Sequence, residues 1–170
     1  LIHKIAKREG IGDLLAEGTR RMSQKLGKGS EKFAMNVKGL ELPAYDSRAV
    51  QITGLAYAVA NRGGDHVTAY IQGPSFFDIP FLCIPDSKIE DSLVADPSEV
   101  HILVDLENVM GALDTLGACK FMGFCVDSDE WVELVEHCIG CKFTYDDMVT
   151  LGERAYNLAR VFSIREGLTR

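Results

Sequence analysis

The apolar positions of this chain recur mainly at helical spacing, most clearly near its C-terminal end. There the apolar residues step by three or four positions: Met148, Leu151, Ala155, Leu158 and Phe162. Thr144 with Asp147 three residues later has the form of a capping box, and Gly167 is a suitable stop. The pattern predicts one long amphipathic helix between these signals.

Weaker signals of the same kind predict further helices. The sequence Asp96-Pro97-Ser98-Glu99 combines a cap, a proline in the first turn and an acid near the positive end of the helix dipole. The other predicted helices are residues 1–8, residues 12–26, one capped by Asp46 or Ser47 that ends at 61–64, and one from Ser128 to about Cys138.

Three segments lack helical periodicity. Residues 33–38 predict a short strand and residues 39–45 an extended loop. Residues 71–97 contain four of the five prolines and predict a long excursion over the surface. We therefore predict an all-α, multihelical fold, in which a boundary within 71–97 would divide the chain into two small helical subdomains.

Composition removes several classes of function. The chain has 25 acidic and 18 basic residues and a net charge of -7, which argues against a nucleic-acid surface. No apolar run is long enough for a membrane span. The first residues are too few and too charged for a signal peptide, and the missing methionine suggests a chain cut from something larger. We expect a cytoplasmic protein.

Five cysteines form neither a disulfide framework nor a compact ferredoxin-type run, which favours reduced thiols. Cys138 and Cys141 form a CxxC pair. Zinc would need two more ligands, and with no second CxxC the nearby candidates are Cys125 and His137. A small zinc protein is therefore one alternative.

The stretch from Asp114 to Phe121 places an acid, a glycine and a thiol at the border of two apolar runs. In an unbroken helix Asp114 and Cys119 would lie roughly 140° apart around the axis and could not face one ligand. Gly117 offers a break that would let them converge. A lone cysteine is more often a small buried hydrophobe, so the pattern by itself is a weak signal.

His66 follows the glycine pair Gly63-Gly64, which is a natural helix stop. A histidine in this position is most often a capping or surface residue, but it is also suited to moving protons from a loop. Arg62 nearby could serve an anionic ligand.

Several motifs in order resemble the C-terminal helical region of the aldehyde ferredoxin oxidoreductases, a family of tungsten- or molybdenum-pterin enzymes. The matching stretches are residues 8–18, 38–46, 54–66, 114–121 and 152–167. Asp114 to Cys119 resembles the second of the family's two pterin motifs, Asp-x-x-Gly-Leu-Cys/Asp.

The resemblance implies a role for each site residue. Asp114 would hydrogen-bond the tungstopterin or molybdopterin, and the backbone of Thr115, Leu116, Gly117 and Ala118 would contact it. Cys119 would be the last ligand of a [4Fe–4S] cluster, and His66 would move protons as an aldehyde becomes a carboxylic acid. Electrons would pass to ferredoxin.

The chain also departs from the family pattern. Three cluster cysteines, the first pterin motif and the N-terminal pterin-binding domain are absent, so we expect the isolated chain to be inactive, to bind neither cluster nor pterin, and to dimerise through uncovered apolar faces. Ala118 stands in place of leucine, and Asp65 in place of cysteine or a small residue. The alternatives are a tungsten enzyme with a non-aldehyde substrate and a non-catalytic helical interaction module.

Overall fold

The computed structural model describes residues 1–76, 81–84, 87–91 and 93–168 and is predominantly helical, as predicted. In this part of the chain the helices are α1 (Ile2–Ala6), α2 (Ile11–Leu15), α3 (Gly18–Leu26), α4 (Gln51–Val59), α5 (Gln72–Phe76), α6 (Val100–Thr115), α7 (Ser128–Ile139) and α8 (Tyr145–Arg165). Short 3-10 turns lie at Ser30–Phe33, Pro97–Glu99 and Lys120–Phe124.

Helices α6 and α8 pack against each other along most of their length, because two glycines allow their backbones to meet. A Cβ at Gly152 would lie 1.6 Å from the Asn108 carbonyl oxygen, and one at Gly111 would lie 3.2 Å from the Gly152 carbonyl oxygen. The core is built around this crossing. Its fully buried members from these helices include Leu106, Val109, Met110, Leu113 and Met148.

The predicted capping signals of these helices are confirmed. The Asp96 carboxylate accepts a hydrogen bond from the Ser98 N–H at 2.8 Å. At the start of α8, the Asp147 N–H donates to Thr144 Oγ1 at 3.2 Å, and Asp147 Oδ2 accepts from the Thr144 N–H at 2.9 Å. Side-chain oxygens therefore satisfy amides that a helix start leaves without partners.

The prediction of one helix over 12–26 was wrong, because Gly18 divides it. Its φ of +80° interrupts the right-handed backbone between α2 and α3. The predicted strand is also shorter and has a partner. Strand β1 (Asn36–Val37) pairs antiparallel with β2 (Leu40–Glu41), so the loop predicted over 39–45 begins as a strand.

The prediction that Asp46 or Ser47 caps the next helix was wrong by one turn. Helix α4 begins at Gln51, and Val50 precedes it without a side-chain cap. Asp46 instead shapes the turn before the helix, where its carboxylate accepts from the Arg48 N–H at 2.8 Å and its carbonyl accepts from the Val50 N–H at 3.1 Å.

The described part of residues 71–97 is not simply a surface excursion. Five of its apolar side chains are buried in the core, whereas Leu82, Leu93 and Val94 are exposed; the buried ones are Ile71, Phe81, Cys83, Ile84 and Ile89. The prolines removed helical periodicity, but the apolar residues between them still pack against α6 and its neighbours. Residues 77–80, 85–86 and 92 lie outside the described part, and a subdomain boundary within 71–97 stays a prediction.

The apolar stripe predicted for the last helix is buried only in its first half. Met148 is fully buried, whereas Leu158 is 72% exposed and Phe162 65% exposed. The second half still contacts α6 through Tyr156 and Glu107, but it leaves the apolar side chains of Leu158 and Phe162 uncovered. Among the described residues, no helix has the length and apolarity needed to cross a membrane.

Candidate cofactor-binding cavity

The C-terminal end of α6 turns sharply at Gly117, as the sequence predicted. The helix ends at Thr115, and Gly117 has a φ of +70°, which a residue without a Cβ adopts readily. The Ala118 N–H then donates to the Leu113 carbonyl at 2.9 Å and closes the helix end. This break brings Asp114 and the exposed Cys119 thiol to the same end of α6.

Lys120 joins this turn to the loop that carries His66. Its Nζ lies 2.9 Å from Asp114 Oδ2 and donates to the Val67 carbonyl at 2.9 Å. The Lys120 side chain is only 10% exposed, whereas its partner Asp114 is 58% exposed. Sequence reasoning missed this residue. The signal that could have identified Lys120 is its position directly after Cys119 in the sequence.

The glycine pair before His66 lets the loop approach the β-hairpin closely. A Cβ at Gly63 would lie 2.2 Å from the Val37 carbonyl oxygen, and one at Gly64 would lie 2.8 Å from the Leu40 carbonyl oxygen. The Gly64 N–H also donates to the Val37 carbonyl at 3.3 Å. The pair therefore does more than end a helix, because it fixes the position from which His66 extends.

Asp65 is an anchor of the same loop. Its buried carboxylate accepts from the Val67 N–H and from the Thr68 hydroxyl, and it forms a 2.8 Å ion pair with Arg62. Burial alone would raise the pKa of Asp65, but these hydrogen bonds and the Arg62 charge lower it. The acid that departs from the family pattern thus has a structural role in this chain.

These elements enclose a cavity of about 440 Å³. His66, Asp114, Ala118 and Cys119 line it together, with Arg62 and Lys120 adding positive charge. Of the other predicted cofactor contacts, Thr115 lines a neighbouring cavity, whereas Leu116 and Gly117 line neither one. The structure therefore brings His66 to the same cavity as the acid and the thiol of the Asp114–Cys119 stretch.

Aromatic side chains form one wall of this cavity, and sequence reasoning missed them. Tyr70, Phe81, Phe121 and Phe124 line it. The Phe81 and Phe124 rings stack with centroids 4.0 Å apart, and Tyr70 meets both edge-on. Tyr70 also packs against His66 at 5.9 Å between centroids and has a φ of +53°, an uncommon backbone conformation for tyrosine. The wall gives a planar ligand an apolar surface.

The lining of the cavity suits one edge of the pterin and iron–sulfur cluster that the resemblance implies. A cubane cluster takes four cysteine thiolates, and here only the exposed Cys119 thiol stands at the cavity. Within residues 1–76, 81–84, 87–91 and 93–168, no group of three histidine, cysteine, aspartate or glutamate side chains could hold a metal ion. The described part of the chain can thus supply one cluster ligand, Cys119, and the aromatic wall of the cavity.

The second cysteine-bearing turn has a different environment. Cys125, Cys138 and Cys141 are exposed, and His137 Nδ1 contacts the Glu133 carbonyl of its own helix at 2.7 Å. These described side chains are not grouped as a metal site, so the zinc alternative is not supported.

The fold and cavity define a class: a helical domain that presents one thiol, one carboxylate and one histidine at a single cavity. The sequence-family model for domains 2 and 3 of aldehyde ferredoxin oxidoreductase matches residues 1–170. The chain belongs to the aldehyde ferredoxin oxidoreductase family.

Individual relatives agree with this assignment. The chain is 38% identical to the tungsten-containing aldehyde ferredoxin oxidoreductase of Pyrococcus horikoshii and 36% identical to that of Pyrococcus furiosus, over 98% of its own length and 26% of theirs. It is 40% identical, over 78% of its length and 20% of the relative's, to the WOR-like subunit of an aliphatic sulfonate oxidoreductase from Pyrococcus furiosus. The chain thus spans about a quarter of the length of the aldehyde enzymes that it matches.

Proposed function

We propose that this chain is the helical part of a tungstopterin, iron–sulfur oxidoreductase that oxidises aldehydes to carboxylic acids and passes the electrons to ferredoxin. The observation that carries the proposal is the single cavity lined by His66, Asp114 and Cys119. His66 is far in sequence from Asp114 and Cys119, and the fold brings the three together with the chemistry that such an enzyme needs.

When bound, the pterin-held metal would supply two-electron oxidation and the cluster would supply one-electron transfer. In this chain, Asp114 would accept hydrogen bonds from the pterin, and the Cys119 thiolate would be one cluster ligand. The Ala118 backbone stands at the cavity between them. Thr115, Leu116 and Gly117 shape the turn that presents these two side chains.

His66 has the position of a proton-moving group. Oxidation of an aldehyde with one water gives a carboxylic acid, two protons and two electrons, and two ferredoxins would each take one electron. The protons must leave the reacting centre. His66 lies on the cavity wall between Tyr45 and Tyr70, with ring centroids 5.2 Å and 5.9 Å away. These rings limit its orientations, so it can accept a proton at a defined place.

The rest of the site would come from another part of the polypeptide. The remaining cluster thiolates and a pterin-binding domain are needed to surround the cofactor, and the uncovered apolar face of α8 offers surface for packing. We place the assembled enzyme in the cytoplasm, where thiols stay reduced. The isolated chain is expected to be inactive and to dimerise.

A second substrate class is favoured by one observation. The WOR-like subunit of the aliphatic sulfonate oxidoreductase is 40% identical to this chain over 78% of its length, against 38% over 98% for an aldehyde oxidoreductase. The cavity wall described above contains no side chain that selects an aldehyde over another small organic substrate. A related tungsten enzyme with a non-aldehyde substrate therefore remains the alternative.

The experiment is ferredoxin reduction by the purified native polypeptide that contains this chain, with an aldehyde series and an aliphatic sulfonate offered separately. We expect aldehyde-dependent reduction. His66→Asn should lower kcat by about 10²–10⁴-fold, the usual range for a lost proton-transfer group. His137→Asn, an equivalent change on the exposed surface, is the control and should leave kcat unchanged.

Two results would contradict the proposal. If the enzyme oxidised the sulfonate and no aldehyde, the proposed substrate class would be wrong, whereas the family assignment would stand. A normal kcat in His66→Asn, with tungsten and iron contents equal to those of the unmodified enzyme, would remove the histidine from the chemistry.

A further inference from the structure

A second cavity, of about 630 Å³, adjoins the cofactor cavity. Arg62 and Asp114 line both cavities, so the two meet at these side chains. Both are more than half exposed, Arg62 at 62% and Asp114 at 58%, and water therefore reaches the boundary. The second cavity extends from this boundary along the space between α6 and α8.

One side of the second cavity is a row of three α6 residues: Glu107, Gly111 and Asp114. Residues seven apart on a helix share a face and lie about 10.5 Å apart along its axis. Gly111 lies between the two acids without a side chain, which leaves the space above it open. The row thus connects the cofactor end of α6 with a carboxyl group two turns deeper in the protein.

Glu107 is only 8% exposed, and its side chain contacts the Tyr156 hydroxyl. Tyr156 Oη lies 3.2 Å from Glu107 Oε1 and 2.8 Å from the Val59 carbonyl oxygen. The hydroxyl has one proton for these two oxygens. If that proton goes to Val59, the contact with Glu107 is a hydrogen bond only when Glu107 is itself protonated and donates.

The charges around Glu107 allow both protonation states. From α8 it is faced by Tyr156 and Arg160, and Arg160 donates to the Val59 carbonyl at 2.6 Å. Burial raises the pKa of Glu107 to about 7, although the Tyr156 hydrogen bond and the Arg160 charge act in the opposite direction.

The other charged groups at this site lie at its edges. Arg62 and Asp114 stand at the mouth of the cavity, and Lys38 of the hairpin turn donates to the neighbouring Ala60 carbonyl. No other charged side chain lines the second cavity among the described residues.

We propose that Glu107 and Tyr156 are a proton-holding pair that receives protons from water in the second cavity and returns them to bulk water. Glu107 is thus a positioning residue for proton release rather than a catalytic residue, because it acts through water at the Asp114 and Arg62 boundary. In each cycle an O–H bond forms at the Glu107 carboxylate and later breaks to water, with no change in electron count. The role in turnover rests on the proposed function.

The test compares Glu107→Gln with Glu153→Gln, the same change on the exposed surface of α8, in the native polypeptide. The first measurement needs no activity. Infrared titration should show a protonated carboxylic acid that ionises near pH 7 in the unmodified protein and in Glu153→Gln, and that is absent from Glu107→Gln. Ionisation of Glu107 below about pH 5, near the value of an ordinary glutamate, would overturn the inference.

The pH dependence of stability gives a second readout. Because the native pKa of Glu107 lies above that of the unfolded chain, the native state binds more protons between the two values, and the free energy of unfolding falls as pH rises toward 7. We expect the urea midpoint of Glu107→Gln to fall less over this range than that of Glu153→Gln. Equal falls would contradict a proton held by Glu107.

The third measurement is the pH profile of kcat. We expect Glu107→Gln to lose an ionisation near pH 7 that Glu153→Gln retains, and Tyr156→Phe to shift that ionisation. An unchanged profile in Glu107→Gln would overturn the role in proton release. Failure of the proposed function is distinguishable, because the unmodified enzyme would then oxidise no aldehyde, whereas failure of the inference removes only the difference between the two glutamate variants.

Discussion

Two turns of this protein look alike locally and differ in what packs against them. The Cys119 turn (residues 116–120) follows α6, and the Cys141 turn (residues 140–143) follows α7. Each contains a left-handed glycine, with φ of +70° at Gly117 and +71° at Gly140, and each presents an exposed thiol. From local sequence alone, the CxxC at the Cys141 turn was the more familiar metal motif.

The difference lies in the partners that the fold supplies. The Cys119 turn is tied through Lys120 to the loop of His66 and opens into a cavity with an aromatic wall. The Cys141 turn borders an open surface lined by Glu136, His137 and Lys142 and lacks a third metal ligand in the described part of the chain. In this protein the surroundings of each cysteine are therefore set by residues distant in sequence rather than by its immediate neighbours.

Of the substitutions that distinguish the two turns, Lys120→Met is expected to change the free energy of unfolding most. Lys120→Met removes the ion pair with Asp114 and leaves the Val67 carbonyl without its donor. We expect a loss of about 1–3 kcal/mol in the free energy of unfolding, because a shielded polar group loses its partner. Urea denaturation measures the loss.

Lys142→Met at the other turn is the matched control. Lys142 is exposed, so its replacement should change stability by no more than about 0.5 kcal/mol. If the two lysine variants lost equal stability, the link between the Cys119 turn and the His66 loop would not be a distinguishing feature.

Replacing the left-handed glycine of each turn by alanine should have a smaller effect on stability, and that effect should be the same in both turns. Gly117→Ala and Gly140→Ala each force a side chain into a left-handed backbone conformation, although a Cβ at either position would meet no atom within 4 Å. We expect each variant to lose about 1 kcal/mol, measured by urea denaturation. A large difference between them would mean that the turns already differ in their own backbones, before any distant partner is considered.

The sequence predicted the helical architecture because its signals are local. The capping residues at Asp96 and Thr144 and the glycine break at Gly117 act within a few residues, and the structure confirms all three. The burial of Ile71, Phe81 and Ile89 was missed, since the apolar side chains of this segment follow no period that identifies a buried face.

The sequence predicted the residues of the candidate site but not the contacts that bring His66 to the end of α6. Asp114 and Cys119 were predicted to converge through the break at Gly117, but the position of His66 beside them depends on the Lys120 tether and on the approach of Gly63 and Gly64 to the hairpin. These contacts join residues more than 20 positions apart, and no local pattern encodes them. The aromatic wall and Glu107 were missed for the same reason.

The most direct test of the central claim is the iron–sulfur content of two cysteine variants of the native polypeptide. Cys119→Ser should lose its [4Fe–4S] cluster and transfer no electrons to ferredoxin, because a cubane would lack its fourth thiolate. Cys141→Ser should keep the iron content and spectrum of the unmodified enzyme. Full iron content in Cys119→Ser, or loss of the cluster in Cys141→Ser, would contradict the account.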